Sequence, residues 1–159
     1  MEIIMENNSN AVIMGQGVDD YKGIFGTTHN FHQKFGKNRV FDVPLAEEAT
    51  TGIGIGASLN GLYPIQTHIR ADFALVCMNQ IINLASKYRY MFGGSFEVPM
   101  LIRLVVGRSW GQGAQHSQSL QSTFSILKII SSGSLKCHAL IFETICLRLE
   151  LLGITLIFL

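Results

Sequence analysis

Apolar residues along this chain fall into short runs separated by glycine-rich or polar stretches. The run 11–14 (Ala-Val-Ile-Met) is closed by Gly15 and Gly17, the pattern of a strand entering a loop. Residues 28–35 read as a helix, Val40 and Phe41 as a short strand, and 42–44 as a turn. Small and apolar residues predict a helix over 47–60, ended by Gly61, and a strand over 64–69. Leu75, Met78, Ile82, Ala85 and Tyr88 recur at helical spacing, which predicts one helix over 73–90 stopped by Gly93 and Gly94. The run 98–106 reads as a buried strand. A polar loop follows, then a short helix near 120–124 and a strand near 127–130. Strands alternating with helices predict an α/β fold, a mostly parallel sheet with helices on both faces.

The end of the chain, 139–159, is apolar enough to raise the question of a membrane. Glu143, Arg148 and Glu150 interrupt it, and the remainder, 151–159, falls short of the roughly 20 residues that span a bilayer. A core helix followed by a buried strand is expected there. No internal repeat or low-complexity tract is present.

Composition narrows the class. The chain has 159 residues, enough for one domain with a core. It is 48% hydrophobic and only 14% charged, which suggests that a partner covers part of its surface. A net charge of +1 without a basic cluster gives no electrostatic case for nucleic acid. Cys77, Cys137 and Cys146 are odd in number and form no CxxC pair, so they read as buried thiols in a reducing compartment. The first residues carry neither a basic region nor a long apolar core, so no signal peptide is expected. The expected location is the cytoplasm, or the mitochondrial matrix or plastid in a eukaryote.

Candidate chemistry concentrates in the loop 107–118, which holds three glycines, the only Trp and His116 among small polar residues. A polar loop hung from the end of a buried strand is where α/β proteins place their chemistry. His116 reads either as a structural hydrogen-bonding group or as a proton carrier. The glycine-rich run 51–61 is not a dinucleotide fingerprint: no strand leads directly into it, and no acid stands at the expected distance. Gly52 and Gly56 share a helix face, and each costs about 1 kcal/mol relative to Ala. That face therefore suggests close packing, such as a subunit interface. Glu47 and Glu48 in a first helical turn are accounted for by the helix dipole; the alternative is that one of them meets a ligand in a cleft. Phe73, just after a strand, reads as a core aromatic or as a flat surface for a planar ligand. No residues have metal-ligand spacing.

Several segments in fixed order carry a resemblance: 15–26 (GQGVDDYKGIFG), 34–47 (KFGKNRVFDVPLAE), 52–65 (GIGIGASLNGLYPI), 79–83 (NQIIN), 90–94 (YMFGG), 98–100 (VPM) and 114–118 (AQHSQ). Over residues 11–130 the chain resembles the transketolase-like pyrimidine-binding domain of the beta subunit of thiamine-diphosphate-dependent 2-oxoacid dehydrogenases, the pyruvate, branched-chain and acetoin type. The resemblance implies that Glu47 holds the N1′ nitrogen of the cofactor's aminopyrimidine, that Phe73 packs on that ring and that Ile69 lines the same pocket. It implies that His116 assists proton transfer and acyl transfer to lipoamide, and that Gly52 and Gly56 lie on a subunit contact.

The same resemblance implies thiamine diphosphate as cofactor, its diphosphate and magnesium held by a partner alpha subunit. The other implied partners are a second beta subunit and the lipoyl acyltransferase core, with no nucleic acid and no membrane. On this reading the isolated chain is inactive. Three departures are visible. Gln16 stands where the family carries an acid. Residues 1–10 are expected to be a remnant of a longer helix. Residues 131–159 match poorly and form an atypical tail, so that 1–159 is one pyrimidine-binding domain without the family's C-terminal domain. A non-catalytic fragment or interaction module of the same fold stays open as the alternative. A transketolase-type synthase is disfavoured by the His-Ser-Gln sequence at 116–118.

Overall fold

A computed structural model describes residues 1–20, 22, 24–106, 111–120 and 123, and the backbone of three later strands. The sheet has seven strands in the order β2-β1-β3-β4-β7-β6-β5. β1 (Ala11–Gly15) lies between β2 (Val40–Phe41) and β3 (Tyr63–His68), and β3 pairs with β4 (Met100–Leu104), all in parallel. β7 (Ile154–Phe158) continues the parallel set beside β4. β5 (Lys136–Leu140) and β6 (Thr144–Leu149) extend it in the antiparallel sense.

Parallel strands buried on both faces need apolar residues on both, and β1 and β4 have them. Along β4, Met100, Ile102 and Leu104 face one core with Ile55, Ala74, Cys77 and Ile81. Leu101 faces the other, with Met5, Ile13, Val18, Val40 and Ile65. α3 (Glu47–Leu59) covers the first face; α1 (Glu2–Asn7) and α2 (Phe31–Phe35) lie on the second. The predicted α/β architecture is therefore the observed one.

Four expectations change. The helix over 28–35 shortens to α2. The helix over 73–90 divides into a 3₁₀ segment, Ala71–Cys77, a π-helical segment, Gln80–Ala85, and α4 (Tyr88–Met91). Leu75 is 45% exposed; the inward face is carried instead by Ala71, Ala74, Cys77 and Ile81. Small side chains let this segment lie close to the sheet and α3, and that packing overrides the periodicity of the larger residues.

In the strand over 98–106, ladder pairing is confined to Met100–Leu104, although Val98 and Val105 stay buried. Arg103 stands at its centre, 2% exposed, and its guanidinium nitrogens have no hydrogen-bond partner among the described residues. Burial lowers its pKa to about 10. Finally, the core helix expected after 139 is replaced by strands: Thr144 and Ile145 are β-branched and suit a sheet, and β6 pairs with both of its neighbours. The expected strand near 127–130, and most of the helix near 120–124, lie outside the described residues. Among the described residues no helix is long and apolar enough to cross a membrane.

Two contacts at the carboxyl ends of the strands set local geometry. The Cα of Gly15 is so close to β3 that a Cβ there would collide with the Thr67 carbonyl oxygen, and would stand 3.0 Å from Val18 Cγ1. His68, the last residue of β3, is buried with its Nε2 3.9 Å from the Cys77 sulfur. Burial pulls the His68 pKa down to about 4 and pushes that of the Cys77 thiol up.

The Gly15→Ala substitution is expected to destabilise the fold by about 1–3 kcal/mol, the usual cost of overpacking against backbone, as measured by urea unfolding. His68 supplies a pH dependence of known sign. Folded, it stays neutral down to about pH 4, whereas unfolded it protonates near pH 6.5. In that window the unfolded chain binds more protons. Stability should therefore fall as pH is lowered through it, by up to about 1.4 kcal/mol per pH unit. Unfolding of His68→Gln over the same window should show a flatter slope; an unchanged slope would assign the effect to other groups.

Candidate active site

The carboxyl ends of β1, β3 and β4 point to one side of the sheet, where open α/β sheets bind ligands. Two adjoining hollows lie there. The larger, of about 450 Å³, is lined by Gln16, Ile69, Arg70, Phe73, Gln112 and His116. The narrower one shares Gln16, Ile69 and Arg70 with it and is bounded on its other side by Glu47, Val43 and Thr50. Gln16, Ile69 and Arg70 thus form the wall common to both.

Each lining residue is placed by a local cause. Gln16 follows the tight Gly15 approach. The next residue, Gly17, has φ +66° and donates its N–H to Asp42 Oδ1 at 2.7 Å, tying this turn to the segment that enters α3. Glu47 opens α3, where a helix N-terminus favours a carboxylate. It is half-buried; its backbone carbonyl accepts from Thr50 Oγ1 at 3.3 Å, while its carboxylate has no hydrogen bond or salt bridge among the described residues. Its neighbour Glu48 is different: it accepts a hydrogen bond from Gln80 Nε2 at 3.0 Å, so its carboxylate ties α3 to the π-helical segment. Beneath the narrow hollow, the Gln66 amide donates to Thr50 Oγ1 at 3.3 Å, while Gln66 Oε1 and Thr67 Oγ1 are buried without hydrogen-bond partners among the described residues.

The opposite wall is aromatic. Phe73 on the 3₁₀ segment meets His116 edge to face, with ring centroids 5.3 Å apart. His116 lies in a short 3₁₀ turn, Ala114–His116, preceded by Gly113 at φ +78°. Two side chains from the start of the 71–77 segment hold this turn in place. Asp72 Oδ1 accepts the Gln118 backbone N–H at 2.9 Å, and Arg70 Nε donates to Gln112 Oε1 at 2.8 Å. Arg70 also donates to the Ile69 carbonyl at 2.9 Å and stands 5.0 Å over the Phe25 ring. The Ala71 N–H donates to the Val105 carbonyl at 2.8 Å, which joins the segment's start to the end of β4.

Of the residues singled out from sequence, Glu47, Ile69, Phe73 and His116 all line these hollows, with Gln16 beside them. Gly52 and Gly56 do not. They lie elsewhere on α3: a Cβ on Gly52 would stand 4.0 Å from Gln80 Cγ, and one on Gly56 would meet nothing within 4 Å. The closely packed glycine of this helix is Gly54, whose Cβ would lie 3.4 Å from Met100 Cε, against the sheet. Trp110 and the first part of the polar loop lie outside the described residues. Sequence reading overlooked Arg70, Asp72 and Gln112. The available signal was two charged residues flanking Ala71 directly after an apolar strand. Among the described residues no three His, Cys, Asp or Glu side chains converge as a metal site.

Comparison with known proteins agrees with this geometry. The family model for the transketolase pyrimidine binding domain matches residues 1–131. The chain is 40% identical over 130 residues to a pyruvate dehydrogenase E1 component subunit beta of Gracilaria tenuistipitata var. liui, covering 80% of this chain and 40% of that protein. It is 36% identical over 137 residues to an acetoin:2,6-dichlorophenolindophenol oxidoreductase subunit beta of Bacillus subtilis (strain 168), covering 79% and 40%. It is 37% identical over 121 residues to the 2-oxoisovalerate dehydrogenase subunit beta of the same organism, covering 76% and 37%. The chain spans about two fifths of the length of these curated relatives. A parallel sheet with a cleft at its carboxyl edge, a family match over most of the chain and this set of relatives agree: the chain belongs to the transketolase pyrimidine-binding domain family.

Proposed function

We propose that this chain forms the pyrimidine-binding half of a thiamine-diphosphate site in the decarboxylating component of a 2-oxoacid dehydrogenase. The observation that carries the reading is Glu47. Its carboxylate stands without a partner among the described residues, in a cleft that shares a wall with an aromatic-lined cavity. When bound, thiamine diphosphate supplies an acidic ring carbon that adds to a carbonyl and an electron sink for loss of carbon dioxide.

The residues present suit such a guest. Glu47 shares a proton with a ring nitrogen of the aminopyrimidine, for which its carboxylate, without a partner among the described residues, is available. Phe73 presents a flat apolar surface to a planar ring, braced by His116, and Ile69 closes the side of the pocket. His116 carries two ring nitrogens able to give and take protons at the substrate's oxygen, and later to support acyl transfer to a lipoyl group. Gln16 offers hydrogen bonds in the shared wall but no charge.

The diphosphate and its magnesium are assigned to a partner alpha subunit, and a lipoyl acyltransferase core is the acyl acceptor. The open face at Gly52 and Gly56 suits close approach by a second beta subunit. The relatives' names cover both anionic 2-oxo acids and uncharged acetoin, so the family alone leaves the substrate class undivided.

In a complex reconstituted with an alpha subunit, Glu47→Gln is expected to lower 2-oxoacid decarboxylation by about 100-fold or more, the lower end of acid–base contributions. Assembly, followed by size-exclusion chromatography, should change little. Parallel loss of assembly and turnover would make Glu47 a structural residue. The isolated chain should show no decarboxylation; activity without the alpha subunit would contradict a shared site.

A further inference from the structure

We infer that Arg103 and Thr67 form a buried site for one small inorganic anion of chloride size, which serves as a counter-ion within the sheet. The site lies apart from the larger cavity of the proposed function and does not depend on that reading.

Alternate residues of a strand share one face of the sheet. On the face that carries Ile13, Ile65 and Leu101, the next row toward the carboxyl edge is Gly15, Thr67 and Arg103. Thr67 and Arg103 are register partners on β3 and β4, so they are neighbours on that face. Each is only 2% exposed. Thr67 Oγ1 and Arg103 Nε, Nη1 and Nη2 are all without hydrogen-bond partners among the described residues. None of the ion pairs among those residues includes Arg103. Apolar residues flank the row on both sides, Ile65 and Leu101 before it and Ile69 and Val105 after it.

Burial lowers the Arg103 pKa to about 10, which leaves the guanidinium charged at neutral pH. A buried cation is tolerated where it is both paired and hydrogen-bonded. Here a guanidinium and a hydroxyl adjoin, and both can donate. Their complement is an anion, which accepts from both at once. Size narrows the choice of guest. The pair is sealed within the sheet face, so a side chain of another subunit does not reach it without opening the core. Thr67 also borders the narrow hollow, whose volume of about 20 Å³ suits one water-sized guest. Glu47 and Arg70 border that hollow with opposite charges, which offset each other on the path of an entering ion. A halide matches this space; a phosphate does not.

The test uses the full chain, with chloride exchanged for gluconate at constant ionic strength, so that screening is unchanged and only the small anion varies. The midpoint of thermal unfolding should be higher in chloride by about 5 °C or more, as for a ligand that binds only the folded state. The chlorine NMR line of free chloride should broaden on adding the protein and sharpen again when excess bromide competes. Arg103→Met, which puts an apolar chain in place of the cation, should abolish both effects. In gluconate its midpoint should equal or exceed that of the unaltered chain, because the unpaired charge is gone. Thr67→Val removes only the hydroxyl and should weaken chloride binding by about tenfold, the loss of one hydrogen bond to an ion. Equal midpoints in chloride and gluconate, or line broadening that survives in Arg103→Met, would overturn the inference. Should Arg103→Met fail to fold, the other two proteins decide: no chloride response in the unaltered chain, or one that Thr67→Val leaves intact, overturns it equally.

Discussion

Everything at the site depends on parallel pairing of strands that are buried on both faces. Parallel register sends the ends of β1, β3 and β4 to the same edge, and helices on both faces leave that edge as the opening. Residues far apart in the chain therefore meet without any special device. Gln16, Glu47, Arg70 and Phe73 are all strand-end or helix-start residues. Among the described glycines, Gly15 makes the closest approach, to the Thr67 carbonyl, and this places the Gln16 turn directly against β3.

The loop that carries His116 is a different kind of structure. It has little apolar burial of its own, and most of its described residues are exposed. It is held by polar contacts from the 71–77 segment and the residue before it, chiefly the Asp72 carboxylate and the Arg70 guanidinium. Phe73 from the same segment then packs against the imidazole. One short piece of chain thus supplies a wall of the cavity and fixes the group that faces it. Its 3₁₀ and π-helical turns allow Asp72 and Phe73 to reach the loop while Ala74 and Cys77 pack inward.

Much of this was legible in the sequence, for physical reasons. β1, β3 and β4 announce themselves as apolar runs because both faces of a parallel strand are buried. α3 is visible from acids in its first turn and Gly61 after its last. Ordered motifs brought Glu47, Ile69, Phe73 and His116 forward. The division of 71–91 was not legible, since close packing of small residues decides it rather than helical period. Arg103 was hidden inside a run that otherwise reads as a buried strand. Arg70 with Gln112 and Asp72 with Gln118 were invisible because the partners stand 42 and 46 residues apart. The strand at Thr144–Leu149 depends on its antiparallel pairing with β7, a contact that periodicity cannot report.

Under the proposed function, Glu47 and the His116 turn are two walls of one ligand site. Amide hydrogen exchange of the alpha-subunit complex, with and without thiamine diphosphate, tests it most directly. The cofactor is expected to slow exchange in both peptides at once, the start of α3 around 46–50 and the segment 111–118. Protection of neither, or of one without the other, would contradict a single shared site.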